Sequence, residues 1–257
     1  MNAVRQTRRS VLKTIAGLPI AGLPIAAVLA DPRLARAAAA GLESVSTNGL
    51  SAALALPAQT PAPMVLLVHE WWGLNDQIKS VARAFADQGY AALAVDLYDG
   101  KLADNPEDAR AYMDQVVGAE ATATLAAWID WLQSLDHTTA KLGTVGWCFG
   151  GGWSLNASLA RPADATVIYY GRLGKTKNQL AALKGPVLGH YASRDKWINH
   201  EMVDGFEKAM TAANKPFTSH WYEADHAFAN PTGARYDQED AALAWRRTLD
   251  FFEANLG

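Results

Sequence analysis

Cysteine is almost missing from this chain: Cys148 is the only one in 257 residues. One thiol excludes an intramolecular disulfide framework. It also leaves a redox-cycling thiol without a resolving partner. Strong charge of either sign is missing too. There are 23 Lys and Arg against 26 Asp and Glu, a formal net charge of −3, so no basic footprint for nucleic acid exists. After residue 40 there is no further long apolar run, heptad series, internal repeat or linker. What remains is a stretch of about 217 residues, which suits one sizeable domain. Half of the chain is hydrophobic, enough for a large core without staples.

The amino terminus reads as a separate unit. Thr7-Arg8-Arg9-Ser10-Val11-Leu12-Lys13 precedes the mostly apolar Thr14 to Ala30, and Ala35-Arg36-Ala37-Ala38-Ala39-Ala40 supplies small residues. A positive segment, an apolar segment and a small-residue exit make up a secretory signal. The Arg pair makes it a twin-arginine signal, read by the Tat translocase. Residues 1–40 are therefore expected to be a leader and residues 41–257 the domain, exported to the periplasm or secreted. A membrane anchor is the alternative, but Gly17, Pro19, Gly22 and Pro24 break the apolar run. The mature part is expected to be a monomer with no stable membrane insertion.

Apolar runs then alternate with helical patterns. Strands are expected at Met64–His69, Ala91–Asp96, Leu142–Trp147, Thr166–Tyr170, Pro186–Tyr191 and Phe217–Tyr222. Helices are expected at Asp76–Gln88, Pro106–Val117, Ala119–Leu135, Gly151–Ala160, His200–Ala213 and Tyr236–Ala254. Glu43 to Leu56, broken at Asn48-Gly49, reads as an opening hairpin. Such alternation implies an α/β fold, a mainly parallel sheet with helices on both faces. Ligands then sit at the carboxyl ends of the strands. Glu70, Cys148, Asp195 and His226 all follow strands in this reading.

Gly146-Trp147-Cys148-Phe149-Gly150 is the cysteine form of the G-x-S-x-G nucleophile elbow. The nucleophile of that motif sits on a strained strand-to-helix corner, where bulky neighbours would clash. The following helix points its N-terminus at the sulfur and favours the thiolate. A buried, inert cysteine is the plainer alternative. A thiol nucleophile needs a base, and the base needs an orienting acid. In chain order Cys148 is followed by Asp195 and then His226, the order that this sheet type requires. Asp225 is the competing acid, but it adjoins the histidine. Of the other histidines, His69 and His190 read as packed or supporting residues, and His137, His200 and His220 as surface positions. An oxyanion hole would use the backbone N–H of Phe149 and that of Trp71. His69-Glu70 opens like a zinc motif, but H-E-x-x-H fails at Gly73, so neither metal nor cofactor is expected.

These segments resemble the dienelactone hydrolase family of α/β hydrolases, from about Gly41 to the carboxyl terminus. The likeness rests on His69-Glu70-Trp71-Trp72-Gly73, Asp96-Leu97-Tyr98, the Cys148 elbow, the Asp195 segment and Tyr222-Glu223-Ala224-Asp225-His226-Ala227-Phe228. The resemblance implies an α/β-hydrolase fold and a triad of Cys148, His226 and Asp195. It also implies that Glu70 contacts the resting thiol and controls its ionisation. Members of the family open enol-lactones, and others are broader esterases. Dienelactone-cleaving members carry an arginine four residues after the histidine, where this chain has Asn230. Arg110 is the nearest candidate for their second carboxylate-binding arginine, and Arg235 could substitute from a later loop. Trp72, Tyr98, Arg110 and Asn230 are therefore the expected substrate-binding residues, with a neutral or weakly charged ester or lactone as substrate. A redox thiol protein and a ligand-binding scaffold without activity are the readings from other classes.

Overall fold

The computed structural model describes residues 32–47 and 49–257. Eight strands form one sheet: β1 (Glu43–Thr47), β2 (Leu50–Ala55), β3 (Ala62–Val68), β4 (Ala91–Val95), β5 (Thr138–Trp147), β6 (Ala165–Tyr169), β7 (Val187–Ala192) and β8 (Phe217–Tyr222). Their order in space is β1-β2-β4-β3-β5-β6-β7-β8. From β4 to β8 neighbours run parallel, while β1 and β2 form an antiparallel hairpin that extends the edge. Thr47 pairs with Leu50, so the turn falls where Asn48-Gly49 predicted it. Gly49 has φ 80°, and Asn48 lies outside the described residues.

The strands are apolar on both faces because both faces are covered. In β3, Val65 and Leu67 join one core, while Met64, Leu66 and Val68 join the other. The first core receives Ile78, Val81 and Phe85 from α2 (Asp76–Asp87), and Phe252 from α8 (Gln238–Leu256). The second receives Leu125, Trp128, Ile129 and Leu132 from α4 (Gly118–Gln133). A third cluster lies under α7 (His200–Ala212), with Val203, Phe206 and Met210 packed on Ile168 and Tyr191. Burying one such Leu, Ile or Phe side chain contributes about 1.5–3 kcal/mol. Asn75, Asn105 and Asn199 cap α2, α3 (Pro106–Gln115) and α7 by accepting from backbone N–H groups two residues inside each helix.

Most element boundaries differ from the sequence expectation by one or two residues, and four departures bear on the fold. β5 begins at Thr138, four residues before the apolar run, because Thr138 pairs with Ala62 of β3. The helix after the elbow, α5 (Phe149–Ala160), starts directly at Phe149. A short helix, α6 (Lys177–Leu180), has no apolar period and is made by a Thr176 and Gln179 capping box. The fourth difference is at the amino terminus. Residues 1–31 lie outside the described residues, but α1 (Pro32–Ala39), within the expected leader, packs on α2. Ala35, Ala38 and Ala39 are buried there, and Arg36 Nε lies 3.5 Å from Asp76 Oδ2. Small residues at that spacing share one helix face, so the exit sequence is also a packing surface.

Candidate active site

Cys148 stands at the head of α5, at the carboxyl end of β5, with φ 53° and ψ −114°. A non-glycine residue there stores roughly 1–3 kcal/mol of strain. The flanking glycines follow from contact. A Cβ on Gly146 would sit 2.0 Å from the Gly150 carbonyl oxygen, and one on Gly150 would sit 2.2 Å from the Val68 carbonyl oxygen. Larger residues at either place would push the elbow off the sheet. The Phe149 N–H faces the Cys148 sulfur and eases its ionisation. Trp71 lies in the turn after β3 and packs edge-on against Trp72, with ring centroids 4.9 Å apart.

His226 and Asp195 meet although 31 residues separate them: His226 Nδ1 lies 2.6 Å from Asp195 Oδ2. The other carboxylate oxygen accepts from the N–H groups of Trp197 at 2.8 Å and Ile198 at 3.1 Å. Burial pushes the Asp195 carboxyl up, but the His226 and backbone bonds outweigh it and hold its pKa below the ordinary value. Asp225 points elsewhere, to Arg194 at 3.5 Å, and stays half-exposed. The His226 ring is bracketed by Tyr170 and Trp197, each with its centroid 5.1 Å away. Trp197 is 60% exposed at this rim, and the Arg235 guanidinium sits 5.7 Å from its ring centre.

Glu70 is buried at the end of β3. The Tyr170 hydroxyl donates to Oε1 at 3.3 Å, and the Asn230 side-chain amide donates to Oε2. Asn230 Oδ1 accepts from the Thr232 N–H at 2.9 Å and hydroxyl at 2.7 Å, which fixes the amide with its NH2 toward Glu70. Asn230 is thus committed to Glu70, not presented to a ligand. Arg110 is on the solvent face of α3, 73% exposed and 3.8 Å from Asp114. Arg110, the candidate for the second carboxylate-binding arginine, faces solvent here. Arg235 is the cation whose charge reaches Cys148 and Glu70.

Opposing effects set the resting state of the sulfur. Cys148 keeps a partial opening to solvent, but protein surrounds most of the thiol. Burial, followed by the charge of Glu70, pushes its pKa up to about 12, against the Phe149 N–H and Arg235. The helix terminus does not overcome desolvation and two carboxylates, so the resting group is a thiol. Burial also raises the Glu70 pKa, opposed by Asn230, His226, Tyr170 and Arg235. A raised folded-state value means that ionised Glu70 weakens the native state as pH rises through it. Glu70→Gln is therefore expected to raise Tm by about 2–4 °C at pH 8 and by less at pH 5. Thermal melts at the two pH values measure this, and a larger gain at pH 5 would reverse the sign.

Two residues were not singled out by sequence. Tyr170 was visible only as a strand end, and Thr232 as a loop residue. The signal for Tyr170 was its place at the carboxyl end of the strand beside the nucleophile's strand. His69 is wholly buried and structural: Nδ1 donates to the Glu70 carbonyl at 2.5 Å, and Nε2 accepts from the Leu97 N–H at 3.1 Å. His190 is packed between the Tyr222 hydroxyl and Thr248. His137 and His200 are exposed, while His220 is half-buried beside His190. Among the described residues, no cluster of three or more His, Cys, Asp or Glu side chains could hold a metal ion.

The model of the dienelactone hydrolase family matches residues 50–256, a span that contains the elbow, Glu70, Asp195 and His226. The chain belongs to the dienelactone hydrolase family. It is an ester or lactone hydrolase with the family's α/β-hydrolase fold. Relatives at this level include the carboxymethylenebutenolidase of Pseudomonas putida, 32% identical over 225 residues, covering 82% of this chain and 93% of that protein. Protein usf of Aquifex pyrophilus is 33% identical over 205 residues, covering 76% and 89%. A dienelactone hydrolase-like promiscuous phosphotriesterase from metagenomic libraries superposes with TM-score 0.78 at 22% identity, covering 84% of this chain and 98% of that one. That last likeness concerns the fold of the hydrolase alone.

Proposed function

We propose that this hydrolase cleaves esters or lactones through a Cys148–His226–Asp195 triad and a thioester acyl-enzyme. The observation that supports it most is the strained Cys148 at the head of α5, in one site with a His226 already held by Asp195. As the sulfur attacks the carbonyl carbon, its proton passes to His226, because a thiol of pKa about 12 does not ionise unaided at neutral pH. The Phe149 and Trp71 N–H groups face the oxyanion. The adduct collapses by breaking the C–O bond, and the alcohol leaves with the proton held on His226. Water, deprotonated by His226, then hydrolyses the thioester and restores the thiol. The charge of Glu70, second to burial in raising the Cys148 pKa, limits how much thiolate stands in the free enzyme.

Substrate choice follows from the two missing arginines. With Asn230 bonded to Glu70 and Arg110 paired at the surface, a substrate carboxylate lacks its bidentate partners. Neutral aryl or alkyl esters are the proposed substrates, with Trp71 and Trp72 supplying apolar surface. The test is kcat/KM for one ester with and without a carboxylate, joined to intact-mass detection of an acyl adduct on Cys148. The neutral form should lead by about tenfold or more, the value of one charge-assisted bond. A tenfold preference for the carboxylate form would instead favour carboxymethylenebutenolidase chemistry, with Arg235 as the clamp.

We also propose export of the folded protein by the twin-arginine route, on Arg8-Arg9 and the small-residue exit. Replacing both arginines by Lys is expected to retain the precursor in the cytoplasm. Normal periplasmic accumulation of that variant, seen on fractionation, would refute this route.

A further inference from the structure

The alanines that end the expected leader are folded into the domain. α1 carries Ala35 and Ala38 at 2% and 3% exposure with Ala39 buried beside them, while Arg36, Ala37 and Ala40 stay exposed. Their cover is α2, which packs its other sides on β2, β3 and β4. α1 therefore shields a flank of α2 that the sheet leaves open. The backbone after the helix is tied back into it. The N–H groups of Ala40, Gly41 and Leu42 donate to the carbonyls of Arg36, Ala38 and Ala39 at 3.0, 3.4 and 3.2 Å. Leu42 then packs on the first core, and β1 starts at the next residue. Proteolysis takes exposed backbone that opens freely, not backbone that is buried and hydrogen-bonded. The twin-arginine route carries a protein already folded, so α1 is docked before a leader peptidase meets it. The bonds from Ala35 to Leu42 are then closed to hydrolysis. Upstream, the apolar segment ends in Val28-Leu29-Ala30, and Asp31-Pro32 follows. Asp before Pro is a helix-start pair, a capping carboxylate ahead of a proline suited to the first helical position. α1 begins at that proline. Ala30 is the last small residue before it and stands at the end of the apolar segment, where a leader is cut.

We infer that the leader is removed at the Ala30–Asp31 bond and that α1 stays in the exported domain. The inference rests on the export reading above and moves the processing site upstream of the alanine run. The leader peptidase hydrolyses that amide with one water. The C–N bond breaks, the new carboxylate stays on Ala30, and Asp31 keeps the nitrogen as a free amino group. A cut after Ala40 would instead sever an eight-residue helix from the chain, too short to persist alone, and would leave the flank of α2 bare.

The test uses the protein recovered from the periplasm, read by amino-terminal sequencing and intact mass. The chain should begin at Asp31. A periplasmic chain with any other first residue, Arg36 to Leu42 above all, would overturn the inference while leaving the export route intact. Full-length chain held in the cytoplasm would sink the export reading, and this processing site with it. Ala35→Gln and Ala37→Gln, each made in the full chain, give a second readout on the exported proteins. Glutamine is a good helix former, so α1 itself tolerates both. At the buried Ala35 it overfills the contact with α2, and Tm should fall by about 4 °C or more. At the exposed Ala37, Tm should stay within about 2 °C of the parent. Parent-like Tm in Ala35→Gln, or the same fall in both variants, would mean that the exported protein carries no docked α1 and would overturn the inference.

Discussion

Cys148→Ala is expected to lower kcat for any ester substrate by about 10⁴-fold or more, the usual loss when a nucleophile acting with its base is removed. Nothing else in the described site can replace the sulfur. Glu70 is held by Tyr170 and Asn230, and Asp195 by His226 and two backbone N–H groups. The fold should survive, because alanine adds no volume at the elbow and meets the same positive φ as the cysteine. Cys148→Ser should recover little. Burial and Glu70 already push the thiol up to about 12, and a hydroxyl starts far higher. The check is steady-state turnover with thermal melts of the same samples. Parent-like kcat in the alanine variant would remove cysteine from the mechanism.

Asp195→Asn is expected to cost about 10⁴-fold in kcat while leaving the structure in place, as in other triads where the orienting acid is neutralised. The hydrogen bonds determine why. Oδ1 accepts from the N–H groups of Trp197 and Ile198, so an asparagine must keep its oxygen there and turn its NH2 toward His226. That NH2 can only donate, and it forces Nδ1 to be the acceptor and Nε2 to carry the proton. The imidazole then presents a donor where the reaction needs a base. Nitrogen chemical shifts of His226 would report the switched tautomer, and kinetics would report its cost. Near-parent turnover would mean that Asp195 orients nothing.

Much of the site could be read without coordinates. The elbow glycines, the order Cys148, Asp195, His226, and the alternation of strands and helices are local or ordinal features. Local sterics and a parallel sheet turn them into one site at the carboxyl ends of the strands. The hairpin turn at Asn48-Gly49 and the family likeness were legible for the same reason, since each depends on a short run of neighbouring residues.

Other features required the fold. Asn230 and Glu70 are 160 positions apart, and only packing brings that amide onto that carboxylate in place of a ligand. Arg110 is near the right place in sequence, yet its helix turns it to solvent beside Asp114. The amino-terminal segment Pro32–Ala39 reads as a leader, but its alanines also fit the face of α2. The proton on Cys148 is the sharpest case. A helix N-terminus, visible in sequence, favours the thiolate, whereas desolvation and the carboxylates of Glu70 and Asp195 oppose it. Sequence determined which groups are present and in what order. The tertiary structure decided which are dry, which are paired and which keep their protons, because desolvation and Coulomb energy depend on distances that the chain alone does not set.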